Sequence, residues 1–314
     1  LRRAAMFIPA VEAYDSEIMD EIRGIAEGSG RGVEEIMAIN VRTELMYGIS
    51  RPSTECTAIV ALPPATADGH VLVGQNWDWH PSQKEASVIL QVRQEGRPNV
   101  VILTEAGLVG KMSMTAAGLG LCVNLLVCDQ DRCACKVPMH VLLRGMANAE
   151  TMGDAIAAVG KAGRSSSANF VIVHEEGEAI DVEAAPDDYD CVNPEDGVLI
   201  HTNHFTSLRL RVKDRQKAEA PHTLIRMQRA EKLVRPRVGE ISVETFKEAF
   251  RDHFNYPDSI CRHPDPRDAE HLHRESVASV IMDLTEKRML VSWGPPCTNP
   301  YREYTFREFL ADQC

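Results

Sequence analysis

Apolar residues recur on one helical face at Ile18, Ile22, Ile25 and Ala26, and Gly28-Ser29-Gly30 ends that pattern before a second opens at Val33 and runs through Ile36, Ile39 and Leu45. The spacing predicts two antiparallel helices in the first fifty residues. The texture changes at Gly48-Ile49-Ser50-Arg51-Pro52-Ser53, a loop signal that leads into the β-branched apolar run Cys56-Thr57-Ala58-Ile59-Val60-Ala61-Leu62. Cys56 therefore stands where a helical region gives way to a strand. Further strand-like runs follow at 71–73, 87–92, 100–103 and 119–125, then helical patterns at 137–149 and 150–159, and strands again at 169–173 and 198–200. Helices are predicted near 221–233 and 243–253, and two closing strands at 277–282 and 289–293. Runs of strands and runs of helices, without strict alternation, predict an α+β fold of layered sheets and helices. With no internal repeat and no long linker, residues 1–314 read as one domain.

Composition narrows the class of molecule. Of 314 residues, 44% are hydrophobic and 25% charged, which excludes disorder, collagen and a coiled coil as global descriptions. Lys and Arg number 34 against 46 Asp and Glu, a net charge of −12. That balance opposes the phosphate neutralisation that nucleic-acid binding requires and disfavours anionic membranes. No apolar run approaches the roughly 20 residues of a membrane span, and Leu1 to Pro9 is too short for a secretory core. A soluble protein with neither nucleic-acid nor membrane partner is expected. Because residue 1 is Leu, a missing upstream segment is also expected. Nine cysteines cannot all pair within one chain, and a protein of this size does not need disulfides, so a reducing cytoplasm is the expected location.

Cys56 is the first candidate for chemistry. A thiol at the lip of an apolar strand is placed to act as a nucleophile on a rigid element. Free cysteine is also among the most buried residue types and packs as a small hydrophobe, so the residue alone leaves both roles open.

The surrounding segments say more. Glu55-Cys56-Thr57 is followed by Gly74-Gln75-Asn76-Trp77-Asp78-Trp79, by the run from Thr104 to Lys111, by His201-Thr202-Asn203-His204, and by Asn255 to Arg262 with its Ser259-Ile260-Cys261-Arg262. With Ile25 to Gly30 and Asn40 to Met46 upstream, the ordered set resembles the isopenicillin N acyltransferase (acyl-coenzyme A:6-aminopenicillanic acid acyltransferase) family of N-terminal nucleophile hydrolases over nearly the whole chain. The resemblance implies a four-layer αββα sandwich and a precursor that cuts itself before the cysteine. The scissile bond is then Glu55–Cys56, with residues 1–55 a helical pro-segment and 56–314 the catalytic portion. The cysteine thiolate attacks the preceding carbonyl, the acyl group moves from nitrogen to sulfur, and water hydrolyses the thioester. The new α-amine, with an ordinary pKa of about 7.7–8.0, serves as the base that a histidine provides elsewhere. This chain departs from the family in carrying Glu55 where the family places glycine. Glycine reaches backbone conformations that Glu adopts only with strain, and a carboxylate beside a developing thiolate raises the thiol pKa, so slow or pH-dependent processing is expected.

The resemblance assigns further roles. Asp78 orients the new α-amine or polarises the thiol, although an Asp after a strand also caps turns. Asn203 is the neutral oxyanion donor, against a plain role at a strand end. Asn124 matches an asparagine that related amidases keep near the nucleophile. Arg274 binds a carboxylate at the cleft or pairs with Glu270 or Glu275. Trp77 and Trp79 point away from the Asp78 face and fill core or line an acyl pocket. The implied reaction is acyl transfer from a small-molecule amide or acyl thioester, to water or to an amine. The cleaved pro-segment is the other expected partner, and a homo-oligomer stays open.

A metal-binding reading competes. His253, Cys261, His263, His271 and His273 fall within twenty-one residues, and Cys128, Cys133 and Cys135 within eight. Zinc takes both ligand types, which keeps open an uncleaved metal- or thiol-dependent binding protein on the same fold. Neither group has a paired C-x-x-C with an H-x-x-x-H partner, so no metal and no cofactor is expected for the enzyme. The stretch from Cys128 to Cys135 is open between local packing, a redox pair and a partner surface.

Overall fold

The computed structural model describes residues 1–46 and 55–311. The loop expected at Gly48 to Ser53 lies outside the described residues, as does Cys314.

The first 46 residues are helical, with main helices at Ser16–Ser29 and Val33–Asn40. Asp15 caps the first, its Oδ1 accepting from the N–H groups of Glu17 and Ile18 at 3.0 and 3.3 Å, and Gly30 at φ 66° ends it in the left-handed conformation that glycine adopts without strain.

Thirteen strands follow among the described residues: β1 (Glu55–Ala61), β2 (Leu72–Trp79), β3 (Ser87–Val92), β4 (Val100–Glu105), β5 (Met112–Thr115), β6 (Leu119–Leu125), β7 (Ala168–His174), β8 (Glu178–Ala184), β9 (Tyr189–Val192), β10 (Val198–His201), β11 (Glu275–Asp283), β12 (Arg288–Ser292) and β13 (Arg302–Thr305). They form two antiparallel sheets, one ordered β10-β1-β2-β11-β12-β13 and the other β3-β4-β5-β6-β7-β8-β9. Helices Met139–Ala147, Met152–Gly160, His222–Val234 and Val243–Phe250 stand where the apolar periodicity predicts them.

Three separate apolar clusters identify the layers. Val73, Val101, Val171 and Val280 pack between the sheets. Ile102, Leu121 and Phe170 face the other way, against the N-terminal helices and Met139–Gly160. Ile59, Leu72 and Ile281 meet Phe246 and Phe250 of the remaining helical layer. Three interfaces separate four layers, so the architecture is the expected αββα sandwich. No helix of the described residues is long and apolar enough to cross a membrane.

Strand alternation then places the candidate residues. Along β1, Cys56, Ala58 and Val60 face the space between the sheets, while Ile59 and Ala61 face the helices. In the β1–β2 register Glu55 opposes Asp78 and Cys56 opposes Trp77. Directly opposed residues share a face, so the thiol and the Asp78 carboxylate lie on opposite faces of one sheet.

Candidate active site

The Cys56 side chain is 5% exposed and lines a cavity of about 40 Å³ with Gln75, Trp77, Trp79 and Lys111. Arg42 and Thr43, from the helical N-terminal region, close its far wall with Met139 and His140. Trp77 belongs to the core between the sheets and Trp79 packs against it, so the two tryptophans both fill core and wall the cavity. Lys111 is buried over the Trp77 ring and pairs with Glu105 at 3.0 Å, and Glu105 also binds Arg42. Burial lowers the Lys111 ammonium to about 7, against the opposing pull of Glu105. Burial likewise pushes the Cys56 thiol up to about 12, Asp78 adding to the rise and Lys111 resisting it.

The Cys56 backbone is held as firmly as its sulfur. Its N–H donates to Asn203 Oδ1 at 2.8 Å, and its carbonyl accepts from Arg226 Nη1 at 2.6 Å. Arg226 Nη2 donates to the same Asn203 oxygen at 2.8 Å, while Asn203 Nδ2 donates to the Leu125 carbonyl at 3.0 Å. Two donors face one end of the Asn203 amide, so only its oxygen can meet them. The expected oxyanion donor is thus turned with its nitrogen away from Cys56 in the continuous chain.

Asp78 is fully buried on the helix-facing side. Ser276 Oγ donates to its Oδ1 at 2.7 Å, and its Oδ2 has no hydrogen-bond partner among the described residues. Burial pushes this carboxyl up to about 7, against Arg226 and the Ser276 hydroxyl. Beside it, Glu55 is 1% exposed and ringed by two guanidinium groups and an imidazole: Arg226 at 3.3 Å, Arg262, and His222 Nε2 at 2.5 Å. Burial alone would raise the Glu55 carboxyl, but Arg262, Arg226 and His222 together hold it well below the usual carboxylate range. The Glu55 carboxylate therefore faces away from the thiol, on the same side of the sheet as Asp78.

Asn124 accepts from Asn169 Nδ2 at 3.2 Å, its own Nδ2 has no hydrogen-bond partner among the described residues, and its neighbours Val123 and Leu125 bound the cavity. Arg274 lies against Trp79, its guanidinium 5.6 Å from the ring centroid, and donates to the His273 carbonyl at 2.7 Å. It stands behind a cavity wall and not at the sulfur. Glu275, one of its expected partners, pairs with Lys84 at 2.6 Å. Lys111 and Arg262 lie in segments that carry the family resemblance but have no role from it, and Arg226, in the helix His222–Val234, has no sequence signal of its own.

Cys128 is buried beside Leu126, Ala185, Phe205 and Leu210, while half-buried Cys133 and Cys135 pack on the outer helical core. A different group, His253, Cys261, His263 and Cys297, brings its ligand atoms together. His271 and His273 lie outside it.

The family described as acyl-coenzyme A:6-aminopenicillanic acid acyl-transferase matches residues 65–297, about three-quarters of the chain. The chain belongs to that family. The family match begins beyond Cys56, so the nucleophile assignment rests on geometry and on the order of the surrounding segments. A curated relative is the 40 kDa form of acyl-coenzyme A:6-aminopenicillanic-acid-acyltransferase of Emericella nidulans, 32% identical over 245 residues, covering 77% of this chain and 66% of that protein. The alignment thus spans just under two thirds of the relative's length. Among solved structures, a variant of the conjugated bile acid hydrolase from Clostridium perfringens is similar at TM-score 0.57 and 13% identity, covering 82% of this chain and 95% of that one. Penicillin V acylase from Agrobacterium tumefaciens is similar at TM-score 0.54 and 13% identity, covering 82% and 88%. At that identity the two structures bear on the fold alone, and it is the sandwich described above.

Proposed function

We propose that this chain is a self-processing cysteine acyl-transfer enzyme that cuts itself at Glu55–Cys56 and works through an acyl-Cys56 thioester. The observation that carries this reading is the double placement of Cys56: its side chain lines a cavity while its backbone nitrogen is held by Asn203. A nucleophile that must also become its own base needs both groups fixed.

In the first step Lys111, with its ammonium brought to about 7 in the same cavity, takes the thiol proton. The thiolate attacks the Glu55 carbonyl carbon, the C–N bond breaks, and the Cys56 nitrogen gains a proton as the acyl group passes to sulfur. Water hydrolyses the thioester, leaving a carboxylate on Glu55 and a free amine and thiol on Cys56. Asn203 Oδ1 then holds the α-amine it already held as an amide, and the unpartnered Asp78 oxygen supplies a counter-charge from the other face.

In turnover the α-amine takes the thiol proton, the sulfur attacks an amide or acyl thioester, and the resulting ammonium protonates the leaving group. Asn203 serves the oxyanion once its Nδ2 exchanges the Leu125 carbonyl for the substrate oxygen. Water or an amine resolves the acyl enzyme, and water is the acceptor always present. The name of the Emericella nidulans relative supports an acyl thioester as the acyl donor. Eight free cysteines among the described residues fit a reducing cytoplasm.

Denaturing intact-mass spectrometry of the wild type and Cys56→Ala tests this. The wild type should split into residues 1–55 and 56–314 and carry an acyl adduct on the larger part when quenched during turnover, while Cys56→Ala stays whole and inactive. Both proteins staying whole would overturn self-processing. Full amidase activity in Cys56→Ala would remove the nucleophile assignment.

A further inference from the structure

On the helix-facing side of the first sheet, four side chains from three segments meet at one point. His253 follows helix Val243–Phe250, Cys261 and His263 sit in the connection to β11, and Cys297 lies in the loop after β12. Their ligand atoms all lie within 4.8 Å of one another. His263 Nε2 is 3.1 Å from His253 Nε2, 3.6 Å from Cys261 Sγ and 3.4 Å from Cys297 Sγ.

Ordinary hydrogen bonding does not account for this convergence. A neutral imidazole nitrogen carries either one proton or one lone pair, so His263 Nε2 satisfies one neighbour and leaves two crowded against it. A central cation satisfies all four at once. With zinc–nitrogen bonds of about 2.05 Å and zinc–sulfur bonds of about 2.3 Å, a tetrahedron has edges of about 3.3 Å between nitrogens and about 3.6 Å between nitrogen and sulfur. The three separations at His263 lie within about 0.3 Å of those edges, and the remaining pairs, all within 4.8 Å, would close in around the ion.

We propose that His253, Cys261, His263 and Cys297 form a structural zinc site. Two thiolates and two imidazoles complete four-coordination, so the site has no open position for substrate and its role is to hold the chain. What it holds is informative. Cys261 and His263 flank Arg262, whose guanidinium pairs with Glu55 and with Asp258 at 2.7 Å, and whose backbone exchanges hydrogen bonds with Ser276, the residue that binds Asp78. Asn76 Nδ2 bonds the carbonyls of Phe250 and Ile260 at 2.9 Å each, fixing the same connection to β2. The metal fastens this connection to the loop of Cys297, so Arg262 and Ser276 meet Glu55 and Asp78 in one geometry. His253 is exposed, which gives the ion a way in.

The full chain, purified under reducing conditions and dialysed against a weak chelator after zinc addition, is the test material. About one zinc per chain is expected by elemental analysis, falling at least tenfold in the Cys261→Ser/Cys297→Ser double variant. Cobalt exchange into the wild type should give the visible bands of a tetrahedral ion and a thiolate-to-cobalt charge-transfer band, a readout that does not depend on any variant folding. A strong chelator should lower the melting temperature of uncleaved Cys56→Ala, and zinc should restore it. A wild type holding less than about a tenth of a zinc per chain, a Cys261–Cys297 disulfide in its place, or full zinc retention by the double variant would each overturn the site. None of these readouts depends on self-cleavage, so the zinc site stands or falls apart from the proposed reaction.

Discussion

Glu55 and Cys56 are neighbours in sequence and on opposite faces of β1, and that separation lets a charged residue precede the nucleophile. The Glu55 carboxylate is neutralised by Arg226, Arg262 and His222 on the helix-facing side, while the thiol faces the cavity. Removing one member of a buried ion cluster leaves the others uncompensated, so Glu55→Gln in a Cys56→Ala chain should cost about 3–5 kcal/mol in urea unfolding. The pH dependence has a defined sign. Because the folded chain holds Glu55 below its ordinary value of about 4.3, its contribution is complete above that pH and is lost as the pH falls below it. Glu105 and Glu183, both lowered to about 2, share the same acid limb. The Gln variant should therefore flatten only part of the acid loss between pH 5 and 3, and an unchanged acid limb would remove Glu55 from the account. At this scale the site was legible where residues lie close in sequence or match a family run, as with Cys56, Asp78 and Asn203. Lys111, Arg226 and Arg262 also have partners nearer in sequence, but they join the site through Glu55 and Cys56, 55 to 207 positions away, a placement that no local pattern encodes. The zinc ligands show the same limit, since Cys297 lies 34 residues beyond His263 and outside the cluster that spacing picked out.

Between elements, the close approach of β2 to the helix Val243–Phe250 sets how deeply Asp78 and Asn76 are buried. Gly74 leaves no room on this face: a Cβ there would meet the carbonyl oxygen of Val280 on β11 at 2.7 Å and the Phe250 ring of the helix at 2.9 Å. Backbone cannot yield as a flexible side chain does, so Gly74→Ala should destabilise the protein by about 1–3 kcal/mol, read as a lower urea midpoint at unchanged slope. A neutral result would mean that the helix moves aside freely and that this contact does not set the layer spacing. Strands with strong β-branched alternation were readable from the chain, β3 and β6 with the same bounds as expected. Others were not. β8 carries Asp181 and Glu183 on the face that meets His201, so its buried side reads as polar, and β9 and β13 are edge strands of four residues, too short to show a period. β5, Met112–Thr115, is short and lacks β-branched aliphatic residues.

Across the whole molecule, the helices before Cys56 are part of the sandwich and not an appendage to it. Phe7, Ile18, Met19, Ile22, Ile36 and Met37 are all buried in the outer core with Leu142, Met146 and Phe170. Each such side chain contributes about 1.5–3 kcal/mol on burial, well beyond what the loss of one peptide bond releases by freeing the chain ends. Polar locks add to this: Asn40 bonds the Gly107 carbonyl at 2.8 Å and receives the Val109 N–H at 3.1 Å, and Glu44 accepts from the Met139 N–H and Ser166 hydroxyl at 2.8 Å each. Arg42, bound to Glu105 and stacked 4.8 Å from the Trp79 ring, makes one wall of the Cys56 cavity together with Thr43. Cleavage before Cys56 should therefore leave residues 1–55 in place as a subunit of the finished enzyme. Because residues of this segment line the cavity beside the sulfur, an acyl group is accommodated with the segment in place. Native size-exclusion chromatography of cleaved protein should show both fragments in one peak, parting only in denaturant. Separation under native conditions with activity retained on residues 56–314 alone would show that the helical layer is dispensable and that the cavity is closed by other residues.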